Sequence, residues 1–285
     1  MPCYHPLRGY VLPERSSSGS RIILFSKSGL KTWTPIQVPC GNCHGCRLEK
    51  SRQWAVRCVH EAKLWPENCF ITLTYAPEHL PHDHSLVKWH FQDFMKRYRK
   101  NVQPRKIRFF HSGEYGQATP ENDYIARPHY HALIFNHNFQ DRQLHSEKEG
   151  IRLYTSDLLD RLWGMGQCTV GDLTFESAAY VARYVMKKIN GAMAADHYTT
   201  TDPTTGDIYE ITPEYATMSR RPGIGSGWFD LFKSDAYPSD SISVRGSKQK
   251  PPKYYDTLLE RENPVELETV KAHRKLLMRK TLKDS

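Results

Sequence analysis

Three groups of residues in this chain have the type and spacing to do chemistry. The first is His129-Tyr130-His131. Side chains along a strand alternate faces, so the two imidazoles share a side and Tyr130 turns to the other. Two imidazoles a few ångströms apart suit a divalent ion with open coordination positions. Arg127-Pro128 gives the strand a rigid start, and Glu114, in SGEYG at the end of the preceding strand, offers a hard oxygen as a third ligand. The chain has 14 histidines, so some pairs two apart arise by chance, and this pair takes its meaning from its surroundings.

The second group is Tyr180 and Tyr184 in AAYVARYVMKK. At i and i+4 on a helix, both hydroxyls project from one face. Lys188 continues that face and Lys187 lies close to it. A tyrosine stripe can simply pack a core, but here Val181, Ala182 and Val185 can take that task. A phenol, with a pKa of about 10, is a weak nucleophile until it loses its proton or its anion is stabilised. A neighbouring lysine stabilises phenolate, and a metal on a phosphate oxygen makes phosphorus more electrophilic. Attack on a phosphodiester then yields a phosphotyrosine ester and a free 3′ hydroxyl that a polymerase extends. One ester replaces another, so rejoining needs no ATP. A second tyrosine can hold the old end while the first cuts the next.

The third group is Cys40, Cys43 and Cys46, a CxxCxxC cluster that a tight loop can converge on one ion. A tetrahedral zinc site needs a fourth ligand, for which Cys3 is preferred, with His44 and His5 behind it. An iron–sulfur cluster and free thiols are the alternatives. Seven cysteines is an odd number, and the start of the chain lacks a secretory pattern. Metal binding in a reducing cytoplasm is therefore expected, not a disulfide framework. Cys58, Cys69 and Cys168 lie within apolar patterns and are expected in the core.

These groups need elements to hold them. Residues 1–39 read as irregular apart from the apolar stretch at residues 22–25. A helix is expected over residues 48–65, stopped by Pro66, then a buried strand, CFITLTY, over 69–75. A helix over 85–100 follows, strands at 106–111 and 129–135 flank a turn at 113–119, and a short helix over 156–163 ends at Gly164. A brief strand at 167–170 and a helix over 175–189 complete the pattern. Strands joined by turns pair antiparallel, so the fold class is α+β, one mainly antiparallel sheet with helices packed on it. Residues 239–252 read as a linker, and a charged helix is expected from Pro264 to about Lys280. The organisation predicted is thus a cysteine-rich region at 1–50, a main domain at 51–230 and an extension at 231–285.

The charge balance constrains partners. Forty Lys and Arg against 31 Asp and Glu give a formal charge of +9. Such an excess favours polyanions, because neutralising phosphates releases counterions. No run of about 18 apolar residues exists, so no membrane span is expected. Basic residues interleaved with aromatics at 47–57 with Trp54, at 96–108 with Tyr98, and at Arg220-Arg221 are candidate contacts to a single strand. No G-x-x-x-x-G-K-[ST] occurs, so unwinding is expected to fall to a separate helicase.

Strand CFITLTY, the GEYG turn, RPHYHALIF and YVARYVMKK stand in an order that resembles the replication initiators of the HUH endonuclease superfamily. The resemblance is strongest to those of microviruses, small single-stranded DNA phages, in the gokushovirus branch. CGNCHGCR, PEHLP and SRRPGIG extend it to roughly residues 40–230. It implies an RRM/ferredoxin-like HUH fold and metal binding by His129 and His131, helped by Glu114, with Mg²⁺ or Mn²⁺ as the ion. It also implies nucleophilic roles for Tyr180 and Tyr184, with Lys187 or Lys188 assisting, and rolling-circle initiation at an origin in single-stranded viral DNA. Host helicase and polymerase would be partners, in the cytoplasm of the bacterial host. Family members carry a hydrophobic residue between the histidines, where this chain has Tyr130. Two rivals stay open: a non-catalytic zinc-binding regulator with structural histidines, and a transposase or relaxase of the same chemistry with one essential tyrosine.

Overall fold

The computed structural model describes residues 3–17, 21–27, 29, 31–116, 126–184, 197–201 and 205–281. Contacts divide the chain into two compact units, Met1–Arg52 and Gln53–Ser285.

The first unit contains β1 (Leu7–Arg15), β2 (Arg21–Leu24) and β3 (Thr34–Val38), antiparallel in the order β2-β1-β3. This corrects the irregular region expected over residues 1–39. Its strands bury little beyond Gly9 and Tyr10, so no alternation of apolar residues marks them. Trp33 stands edge-on to Tyr10 at 5.0 Å. Helix α1 (His44–Ala62) follows, and its residues from Gln53 onward belong to the second unit.

The second unit continues with β4 (Asn68–Leu73), α2 (Lys88–Asn101), β5 (Arg108–Tyr115), β6 (Pro128–Phe135), β7 (Gln143–Lys148) and β8 (Ile151–Thr155). Then come α3 (Asp157–Trp163), β9 (Cys168–Gly171), α4 (Phe175–Tyr184), β10 (Thr199–Thr201), β11 (Ile208–Glu210) and β12 (Tyr215–Met218). Seven strands form one sheet in the order β12-β5-β6-β4-β9-β8-β7, and every pairing in it is antiparallel. The fold is α+β, as expected. Strand β5 runs through Tyr115, so Glu114 lies near the strand's end, as expected, although the sequence predicts the turn from Gly113.

Period-two alternation sorts β6 into two faces. Tyr130, Ala132 and Ile134 pack with Cys69, Ile71 and Leu73 of β4 beneath Phe91, Phe94 and Tyr98 of α2 and Leu159 and Trp163 of α3. Leu133 and Phe135 pack on the other side with Phe110 of β5, beneath Ala55 and Cys58 of α1 and Ala178 and Val181 of α4. Each buried aromatic there contributes about 1.5–3 kcal/mol of transfer free energy. Cys58, Cys69 and Cys168 are buried and free, as expected. Ser156 caps α3 by accepting from the Leu159 amide at 3.1 Å, and Gly164, at φ +69°, ends it.

The chain closes with α5 (Ser226–Ala236), β13 (Ile242–Val244), β14 (Ser247–Gln249), α6 (Lys253–Glu262) and α7 (Pro264–Thr281). The linker expected over residues 239–252 is a β13–β14 hairpin. Trp228, Phe229, Tyr255, Leu259 and Leu267 form a core cluster with Val56 of α1. Arg274 of α7 clamps this region by pairing with Asp240 and with Asp256, the latter at 2.7 Å. Among the described residues no helix is long and apolar enough to cross a membrane.

Candidate metal centre and nucleophile

His129 and His131 lie on β6 and Glu114 on β5, and in the strand register Glu114 faces His129 while Ser112 faces His131. All three side chains therefore share one face. Oε1 of Glu114 stands 2.8 Å from Nε2 of His131 and 3.7 Å from Nε2 of His129. Glu114 and His131 are buried, while His129, with 20% of its side chain exposed, forms the rim. Gly113 lets the strand carry Glu114 there. A Cβ at that position would meet Leu86 and Tyr215 at 3.0 Å and the Tyr130 ring at 3.3 Å.

The outer nitrogens are oriented by neighbours. His129 Nδ1 lies 3.2 Å from the Arg127 carbonyl, so it carries the proton and donates, leaving Nε2 as a lone pair. His131 Nδ1 lies 2.9 Å from Thr72 Oγ1, a hydroxyl that accepts from it in the tautomer that presents Nε2 to an ion. Thr72 faces His131 across the β4–β6 pairing. A carboxylate oxygen and an imidazole nitrogen 2.8 Å apart need a proton or a cation between them. The ligand atoms of Glu114, His129 and His131 all lie within 4.8 Å of one another. Two nitrogens and one oxygen on one side, with a half-open rim, fit a divalent ion that keeps positions free for a substrate oxygen.

Helix α4 brings one tyrosine to this centre. Ala178, Val181 and Ala182 bury its sheet-facing side, and half-buried Tyr180 stands edge-on to the His131 ring at 5.0 Å and 84°. Phe70 of β4 stacks on His131 at 5.3 Å and meets Tyr180 edge-on, so the phenol ring is set against the imidazole by a third ring. The Arg183 guanidinium lies 5.8 Å from the Tyr180 ring. Thr72, Phe70 and Arg183 carry no sequence signal of their own. Strand pairing and helix docking single them out. The side chain of Tyr184, at the end of α4, lies outside the described residues, as do Lys187 and Lys188.

A second constellation belongs to the first unit. The sulfurs of Cys3, Cys40, Cys43 and Cys46 lie within 4.8 Å of one another. Cys3 stands 3.6 Å from Cys40 and 3.8 Å from Cys43. A tetrahedron with Zn–S bonds of about 2.3 Å has S–S edges of about 3.8 Å, so the spacing fits that ion. Gly41, at φ +81°, makes the turn between the first two thiols of the run. The backbone N–H groups of Tyr4 and Cys46 bring the Cys43 thiol down to about 6, while burial pushes Cys46 up. Cys3 takes the fourth place, and neither His5 nor His44 joins the group among the described residues.

Parts of two expected strand-binding stretches are engaged elsewhere. Tyr98 is fully buried and bonded to His137 at 2.7 Å, so it offers no face to a base. Arg97 donates to the carbonyls of Leu162 and Trp163. Arg57 is held between the rings of Trp54 and Tyr254 at 3.9 and 3.8 Å and donates to the Ile224 carbonyl. Interleaved bases and aromatics at these positions build the fold. Arg220 and Arg221 are exposed.

Residues 68–189, which include Glu114, His129, His131 and Tyr180, match the family model described as replication-associated protein ORF2/G2P. The chain is similar to replication-associated protein VP4 of Bdellovibrio phage phiMH2K, 31% identical over 274 residues, 93% of this chain and 79% of that protein. It is 36% identical over 261 residues to replication-associated protein ORF2 of Spiroplasma virus 4, 86% of this chain and 75% of that protein. Replication-associated protein ORF4 of Chlamydia phage 1 is 35% identical over 160 residues, 53% of this chain and 38% of that protein. No solved structure matches.

Proposed function

The chain belongs to the replication-associated proteins of microviruses, and from that membership we propose that it initiates rolling-circle replication as an HUH-type endonuclease. In this reading it nicks and rejoins single-stranded viral DNA at an origin through a covalent 5′-phosphotyrosine. The observation that carries the reading is the meeting of Glu114, His129 and His131 on one sheet face with the Tyr180 ring against His131.

A divalent ion such as Mn²⁺ or Mg²⁺, held by these three residues, would polarise a phosphoryl oxygen of the scissile ester and stabilise charge developing on it. Thr72 and the Arg127 carbonyl hold the two imidazoles in the tautomer that presents Nε2. Tyr180, fixed against His131 and Phe70, supplies the attacking oxygen. Its O–P bond forms as the P–O3′ bond breaks, the phenol gives up its proton, and the departing 3′ oxygen takes one up. Arg183, near the Tyr180 ring, favours the phenolate, and Lys187 or Lys188 would assist. Tyr184, one turn along α4, serves as the second nucleophile that lets the first strand end be passed on. The Cys3, Cys40, Cys43 and Cys46 group holds a structural zinc. Unwinding and extension fall to the host's helicase and polymerase, in the bacterial cytoplasm.

The test is cleavage of circular single-stranded DNA from the phage genome by Glu114→Gln and His131→Ala proteins, alongside Mn²⁺ titration of each. Loss of cleavage with a fall in Mn²⁺ affinity of about 10-fold or more is expected. Cleavage at the parent rate in both variants would remove the metal centre from the reading. A non-catalytic zinc-binding regulator would keep its activity with Tyr180→Phe, and the endonuclease would not.

A further inference from the structure

A cavity of about 1160 Å³ in the second unit opens at the other end of β5 from Glu114. One wall of it is the loop SRRPGIG, residues 219–225, which the chemistry above does not use. The backbone of that loop is tied down along its length. The Ser219 amide donates to the Phe109 carbonyl at 3.0 Å, and the Ser219 hydroxyl accepts from the Phe109 amide at 3.1 Å. The Pro222 carbonyl accepts from Arg108 at 2.8 Å and the Ile224 carbonyl from Arg57 at 3.0 Å. The Gly225 amide donates to Glu61 at 2.8 Å. Glu61, 2% exposed, also accepts from Arg108 at 2.7 Å and from the Trp65 indole at 3.2 Å. Gly225 sits at φ +80°, and a Cβ there would come within 2.9 Å of the Tyr255 hydroxyl and 3.1 Å of the Arg57 carbonyl.

A loop held this firmly presents two side chains with no task in the fold. Arg220 and Arg221 are exposed and line the cavity, as do Arg99 and Lys106. Among the described residues no carboxylate pairs with any of these four cations, and the cavity's one acid, Glu61, is engaged by Arg108. Four positive charges without a carboxylate partner, Arg99 resting 5.5 Å from the Phe109 ring, surround one open groove; they repel one another and are relieved by a polyanion. Guanidinium forks match phosphate oxygens. A pocket for a small phosphate would aim backbone N–H groups at it, whereas here the amides of Ser219 and Gly225 bond inward. The groove is edged with cations, which suits a chain of phosphates. Arg108, Phe110, Ser112 and Glu114 alternate to one side of β5, so groove and metal centre share a sheet face. Six residues at about 3.4 Å each separate them by about 20 Å.

We propose that this groove is a second contact for the phosphodiester backbone of single-stranded DNA, gripping the strand about 20 Å from the bond that is cut. It rests on the reading of the chain as a single-strand nickase.

The experiment measures anisotropy of labelled origin oligonucleotides, one confined to the cut site and one extended on both sides, against salt. The protein is Tyr180→Phe/Tyr184→Phe, with and without Arg220→Gln/Arg221→Gln, and separately with Lys106→Glu, which leaves the loop intact. The arginine pair should weaken binding of the extended strand about tenfold and flatten the log–log salt slope by about 1.4, at about 0.7 per phosphate contact. Lys106→Glu should weaken it in the same sense, and the short strand should bind equally to all. Extended-strand affinity and slope unchanged in both variants would overturn the groove assignment. Should the arginine pair lower the thermal midpoint, Lys106→Glu alone decides. A parent protein that neither cuts nor binds its own strand overturns the nickase reading as well, whereas one that cuts normally while the variants bind normally overturns the groove alone.

Discussion

The carboxylate of Glu114 lies opposite His129 in the strand register, yet it makes its closest approach, 2.8 Å, to Nε2 of His131, its diagonal neighbour. Diagonal reach across an antiparallel pair is open to a side chain as long as glutamate. The consequence is a buried pair, Glu114 and His131, with His129 at the rim.

Thr72 should control how His131 presents its nitrogen. Thr72→Val keeps the β-branched shape on β4 and removes the hydroxyl that lies 2.9 Å from Nδ1. Stability should fall by only about 1 kcal/mol, the net worth of one hydrogen bond. Metal affinity should fall about 10- to 100-fold. Mn²⁺ titration together with urea unfolding separates the two effects. Equal metal affinity in the two proteins would mean that Thr72 does not orient the ring.

Tyr130 should matter for stability and little for the metal. It is fully buried on the face away from the histidines, and its hydroxyl donates to the Val87 carbonyl, accepts from the Val87 amide, and meets the Tyr75 hydroxyl at 2.8 Å. That network explains how a tyrosine stands where relatives are expected to carry a hydrophobic residue. Tyr130→Phe leaves those groups short of a partner and should cost about 1–3 kcal/mol in urea unfolding. Mn²⁺ affinity should hold, and a large loss of it would contradict the division of β6 into two faces.

His60 should make the fold sensitive to acid. It is buried, stacked on Trp228 at 3.7 Å and bonded to the Tyr255 hydroxyl at 2.8 Å, and burial holds its imidazole down to about 3. The unfolded chain takes up that proton at about pH 6.5. Below that value the unfolded state binds the extra proton, so stability is fully present above it and falls toward pH 3, by at most about 1.4 kcal/mol per pH unit. His60→Gln should remove one proton's share of this slope between pH 6.5 and 4.5. An unaltered slope would show that His60 is not responsible.

Cys43→Ser should release the metal of the cysteine group. The parent protein should carry one zinc per chain, and the variant should lose it and show a lower first thermal transition, because structural zinc contributes directly to folding. Elemental analysis reads this, and full zinc content in the variant would contradict the assignment.

The convergence of His129, His131 and Glu114 was legible because strand alternation is a two-residue rule and the GEYG and HYH stretches stand on neighbouring strands. Thr72 and Phe70 were not, since their place depends on the β4–β6 register and not on local spacing. The β7–β8 hairpin escaped because every residue of β7 is exposed, which erases the alternation that marks a strand. Tyr98 and Arg57 misled for the opposite reason: bases beside aromatics look alike whether they face solvent or, as here, the interior.

The central claim is that Tyr180 or Tyr184 becomes joined to DNA. The most direct measurement incubates the protein with labelled single-stranded origin DNA and Mn²⁺, isolates the adduct under denaturing conditions, and maps the modified peptide by mass spectrometry. The expected result is a nucleotide on Tyr180 or Tyr184, absent with EDTA, absent in His131→Ala, and lost in the Tyr180→Phe/Tyr184→Phe protein. Cleavage without any adduct, or an adduct on another residue that survives both tyrosine substitutions, would contradict the account.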